Sequence, residues 1–120
     1  MTDVTPVSQH ASLSPDRWAA FTLDHQILMI ANEMNRGRSL MAPEDAERLR
    51  NSCERVLRLV DLTIEVQPLR NLRRELLRLR EVVAGLYLEP RGQSEAHRAA
   101  LRALLLMTPG AAAQIPVLLR

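Results

Sequence analysis

Residues 69–86 read LRNLRRELLRLREVVAGL, and the spacing of their apolar positions decides the fold class. Leu69, Leu72, Leu76, Leu79, Val83 and Leu86 follow one another in alternating steps of three and four. A strand repeats every two residues; this period belongs to an amphipathic helix, and sustained it forms a heptad seam suited to a partner helix. The polar positions of the same stretch carry Arg70, Arg73, Arg74, Arg78 and Arg80, with Glu75 and Glu81 between them. Glu75 and Arg78, and Arg78 and Glu81, stand three apart and can pair along one helix. With Leu69 at an a position, Glu75 at g faces Arg80 at e, as in a parallel two-stranded coil.

Working outward, Pro68 lacks a backbone N–H and crowds the preceding turn, so the helix before it kinks or breaks there. That second helix starts at Pro43, carries Glu44, Asp45 and Glu47 in its first turns, and continues the period through Leu49, Cys53, Val56, Val60 and Ile64. The first helix opens with Ser14 as cap, Pro15 and Asp16, and runs through Ala20, Leu23, Ile27, Ile30 and Met34. Asn35-Arg36-Gly37 ends it, with Gly37 as the left-handed cap. Glu89-Pro90-Arg91-Gly92 closes the third helix near Leu88. Ser94 and Glu95 open a shorter fourth helix to about Met107, and Thr108-Pro109-Gly110 stops that. No strand alternation or hairpin dipeptide interrupts this order.

The expected architecture is all-α: a small bundle of three long helices plus a short C-terminal helix, completed by dimerisation. Residues 14–107 form the bundle, 1–13 a flexible polar tail, and 108–120 an apolar tail that either docks on a partner or packs back. The 120 residues suffice for one domain, and 47% hydrophobic with 25% charged residues is an ordinary balance for a folded chain. Aromatics amount to 2% and Gly to four, which argues against a turn-dense sandwich or barrel. All 16 basic residues are Arg, so Schiff-base and P-loop chemistry are excluded. A net charge of +2 implies no general capture of nucleic acid. One cysteine, an opening segment without a basic and apolar leader, and no run of about 18 apolar residues point to a cytoplasmic chain without a membrane span.

The first helix is apolar on two sides. Ala20, Leu23, Ile27, Ile30 and Met34 share one face, and Trp18, Phe21, His25, Leu28 and Met29 lie roughly opposite. Such a helix is enclosed on all sides. The expectation is a partner interface at Trp18, Phe21, Leu28 and Met29, with Leu69, Leu76 and Val83 as a second seam; the alternative is a central helix wrapped by the other three. Asp24 projects between the two apolar faces, where a buried ion pair with an arginine satisfies it. Arg70, Arg73, Arg74 and Arg78 are the candidate anion or nucleic-acid contacts, although no aromatic lies near them to stack on bases. His25 and Met29 resemble a soft-metal pair, yet no further ligand stands at helical spacing, so no metal or cofactor is expected. Cys53 reads as a core thiol and His97 as near the exposed start of the last helix. The expected function is non-enzymatic: an adaptor, chaperone-like or regulatory module acting through protein–protein contacts as a homo-oligomer, most simply a homodimer. The alternative is a nucleic-acid-binding regulator using the arginine-rich helix.

Overall fold

The computed structural model of the chain describes residues 13–89 and 92–119. Among these the chain is all-helical: α1 (Pro15–Ala19), α2 (Leu23–Arg38), a 3₁₀ turn at Pro43–Asp45, α3 (Ala46–Val66), α4 (Arg70–Leu88), α5 (Ser94–Leu105), α6 (Pro109–Ala112) and α7 (Ile115–Leu118). The polar tail expected over residues 1–13 lies, but for Leu13, outside the described residues. No described helix is long and apolar enough to cross a membrane.

The expected first helix is two. Ser14 caps α1 by accepting from the Arg17 amide, and the chain bends at Ala20-Phe21. Thr22 then caps α2 through its hydroxyl, which accepts the His25 N–H at 3.2 Å. A break of this kind interrupts the helical ladder and leaves carbonyls short of donors, although that of Trp18 still accepts the Phe21 N–H at 3.1 Å. Gln26 supplies further donors. Its side-chain amide, fully buried, donates to the carbonyls of Trp18 at 2.9 Å and Phe21 at 3.2 Å. Gln67, just past the end of α3, donates in turn to Gln26 Oε1 at 2.8 Å.

The bend turns α1 back onto α3 and sends Trp18 into the core, where it is 0% exposed. Its indole Nε1 donates to Thr63 Oγ1 at 2.9 Å, and the Thr63 hydroxyl donates to the Leu59 carbonyl at 2.8 Å. Trp18 is therefore not an outward anchor, because its own chain closes over it. Phe21 stacks edge-on against Trp18 at 5.7 Å and His25 at 4.9 Å, half-buried. Leu28 and Met29 likewise pack at the margin of the same core. Helix α2 is central, touching α3, α5 and α6, so its second apolar side is covered in part within the chain, with Leu28 and Met29 half-buried and His25 exposed.

Pro68 breaks the chain rather than kinking it: α3 ends at Val66, and Gln67 and Leu69 take extended backbone. Leu69 thus falls outside the helix and points to solvent, while Leu72, Leu76, Leu79, Val83 and Leu86 are buried against α3 and α5. The expected second seam is spent inside the chain at Leu76 and Val83. Arg80 binds Asp61 of α3 at 2.6 Å instead of reaching toward a Glu75 on another chain. Gly37 does not terminate α2, which continues to Arg38; among the described residues only Gly92 has a positive φ. A β-carbon on Gly37 would meet His97 Nε2 at 3.2 Å and Ser52 Oγ at 3.4 Å, so its small size lets α2, α3 and α5 approach. The apolar C-terminal segment folds back as α6 and α7, burying Ala111 and Leu119, and Arg38 Nη1 and Arg98 Nη2 donate to the carbonyls of Leu118 at 2.6 Å and Leu119 at 2.5 Å.

Thr63→Val keeps the shape but leaves the buried indole N–H without its acceptor. The substitution lowers unfolding free energy by about 1–3 kcal/mol. Urea titration followed by Trp18 fluorescence measures this directly, since Trp18 is the single tryptophan.

Candidate functional site

Two places on the molecule concentrate chemistry, one exposed and one buried. The exposed one is the outer face of α4. Its core-facing positions recur at Leu72, Leu76, Leu79, Val83 and Leu86, which places Arg70, Arg74, Leu77, Glu81 and Leu88 on the opposite side at 100° per residue. Arg73 sits on one flank of this face and Arg78 on the other. Leu77 is 52% exposed between Arg74, three residues before, and Glu81, four after. Pro68, Arg70, Arg73, Arg74 and Leu77 surround an open hollow of about 420 Å³. Among the described residues no carboxylate pairs with Arg70, Arg73 or Arg74, whereas Arg78 is held by Glu75 at 2.8 Å. The four arginines expected to share one role therefore divide: three line the hollow and the fourth is paired. On the far flank, Arg78, Val82, Ala103 and Met107 border a smaller groove of about 240 Å³ between α4 and α5.

The buried place lies where α2, α3 and α5 cross. Gln26, Glu33 and Gly37 stand seven and four residues apart, so α2 turns one edge of polar or small residues toward α3 and α5. Glu33 is 3% exposed, and its carboxylate accepts from Arg55 Nη2 at 3.0 Å and Ser52 Oγ at 3.1 Å; Arg36 reaches it at 3.5 Å from the surface side. The buried ion pair expected at Asp24 is here instead. Asp24 is exposed in the first turn of α2, without an ion-pair partner among the described residues, and lies against Gly110, where a β-carbon would come within 2.6 Å of its Cγ. Local spacing does not separate the two acids; the packing of α3 and α5 onto α2 does.

His97, expected near solvent, is buried beside Gly37 and Ser52. Burial, followed by the positive charge of Arg38, holds its imidazole below the usual histidine range and so neutral. Its Nδ1 has no hydrogen-bond partner among the described residues. Cys53 is buried nearby, and its thiol is pushed up, first by burial and then by the Glu54 charge. A nucleophilic role needs the opposite setting. His25 is exposed and rests on Phe21, with Met29 half-buried one turn on. No group of three or more His, Cys, Asp or Glu converges on a metal position among the described residues.

Arg55→Met removes the nearest cation from a buried carboxylate and costs about 3 kcal/mol. Adding Glu33→Leu to it restores most of that loss, because the pair is then absent rather than half present. Urea unfolding of the two single variants and the double variant gives the coupling.

Comparison with protein-family models, curated proteins and solved structures finds no match to this chain. The functional reading accordingly rests on the geometry of α4 and the crossing beneath it.

Proposed function

We propose that the protein is a non-enzymatic interaction module that self-associates through the outer face of α4. The observation carrying this reading is the exposed triplet Arg74, Leu77, Glu81 on a helix already fully packed on its other side. A twofold contact needs a patch complementary to itself. When two copies of α4 cross antiparallel near residue 77, Leu77 of each meets the partner's α4 at the centre. Arg74 of one protomer then falls opposite Glu81 of the other, on both sides of the axis. Exposed Leu88, farther along the same face, extends the apolar contact. This replaces the parallel seam and the first-helix anchors expected from the sequence with a surface that the chain leaves uncovered. A catalytic role draws no support from Cys53, which is enclosed and held protonated. A cytoplasmic, adaptor-like or regulatory setting is part of the same reading.

The charge-swap cycle tests it. Sedimentation equilibrium of the wild type shows a reversible dimer. Arg74→Glu and Glu81→Arg each weaken it by about fivefold to tenfold, since an exposed pair contributes up to about 1 kcal/mol and the twofold presents two of them. The double variant recovers the wild-type constant, and Leu77→Asp gives a monomer. A monomeric wild type, or single reversals without effect, overturns the proposal.

A second reading is favoured by one observation, the hollow bordered by Arg70, Arg73 and Arg74 with no carboxylate among its lining residues. It is a phosphate-backbone contact. Fluorescence anisotropy with generic duplex then shows binding whose logarithm falls linearly with log salt, at about 0.9 per neutralised phosphate. Replacing all three arginines by Gln abolishes it. Absence of binding at low salt removes this reading.

A further inference from the structure

Beneath the α2–α3–α5 crossing lies a void of about 10 Å³, lined by Met34, Ser52, Cys53 and His97 and closed by Val56 and Leu86 among others. That is room for about one water-sized sphere. Three of the lining residues, each from a different helix, carry a soft-ligand donor: Met34 of α2 a thioether, Cys53 of α3 a thiol and His97 of α5 an imidazole. His97 is 4% exposed, and its Nδ1 is a buried polar atom without a partner among the described residues. A buried imidazole nitrogen left unsatisfied costs free energy, and the void that His97 lines offers room for a group that takes its lone pair or its proton.

A single water is the first candidate. It needs two to four polar partners, and this lining offers few. Thiol and thioether are weak hydrogen-bonding groups, and the Ser52 hydroxyl already points to the Glu33 carbonyl and carboxylate, 3.1 Å from each. The same two sulfurs and one nitrogen are strong ligands for a soft ion. We infer that the void is a binding site for one soft monovalent ion, Cu(I), held by Cys53 Sγ and His97, with Met34 as a weaker third donor.

Charge selects this ion over a divalent one. Zn²⁺ takes four ligands in structural sites, and with one thiolate it leaves a net positive charge in an apolar pocket. Cu(I) with one thiolate is neutral. The step is a ligand exchange without redox change: Cys53–SH gives up its proton to solvent, and the sulfur lone pair forms the copper bond. The site is unrelated to the α4 face, so the two proposals stand or fall separately.

The test titrates the reduced chain, under argon, with Cu(I) supplied as its coloured bicinchoninate complex. The wild type withdraws one Cu(I) per chain. Cys53→Ala and His97→Gln each weaken that affinity by more than about tenfold, with helicity by circular dichroism unchanged. Cys53 is interior, so a variant that loses helicity is replaced by X-ray absorption on the wild-type copper complex. Sulfur together with imidazole nitrogen in the copper shell supports the site. A wild type that takes no copper, a Cys53→Ala chain that binds as the wild type does, or a shell without sulfur overturns it.

Discussion

The amide of Gln26 holds the fold at its most demanding point. Between α1 and α2 the chain changes direction within a few residues while remaining next to the core; the Trp18 carbonyl keeps the Phe21 N–H at 3.1 Å, and both it and the Phe21 carbonyl have room for a further donor. A buried carbonyl short of donors costs free energy, on the order of 1–3 kcal/mol when it is left wholly unpaired. Gln26 reaches back from the first turn of α2 and donates to both. Because the bend is satisfied, Trp18 can enter the core, bond Thr63 and fix α1 against α3. Gln67 completes the same network at the turn after α3, so the two chain reversals flanking α2 and α3 share one buried amide.

Much of this was legible in the residues. The period of α3 and α4, the stops at Pro68 and Thr108, and the all-helical character follow from spacing and turn chemistry. What was not legible traces to the same bend. Placing Trp18 and Ile27 on one wheel assumes an unbroken helix; the break at Phe21 shifts the phase, so a residue read as outward becomes core. Thr22 was the available signal, a capping residue inside an apolar run, but local propensity alone does not make a helix stop there. Gly37 likewise looks like a terminator by composition, and only the crossing of α5 over it shows that its missing side chain is what matters. Asp24 and Glu33 are both acids at the margin of an apolar stripe. Which of them is buried depends on where α3 and α5 lie, and that is long-range information.

Helix α4 faces two ways with different chemistry. Inward it presents only aliphatic side chains; outward it places leucines among arginines and a glutamate. An arginine stem covers apolar surface while its guanidinium stays hydrated, so exposed leucines in this company are partly shielded from indiscriminate association. Arg80 and Tyr87 fasten the helix to α3 through Asp61 and Glu54, at 2.6 Å and 2.8 Å. The outward face is therefore presented by a helix anchored along its length.

The grip of Arg38 and Arg98 on the last carbonyls carries a consequence for the order of events when the protein opens. These two side chains come from the end of α2 and the first turns of α5, and they end on the last residue of α7 and on the one after it. That grip ties α7 to α2 and to α5, the helix that carries buried His97. Local opening costs less than global unfolding where few contacts are broken. Release of these two bonds, with local opening of α6 and α7, is then a route by which a proton or an ion reaches the interior crossing without the whole chain unfolding.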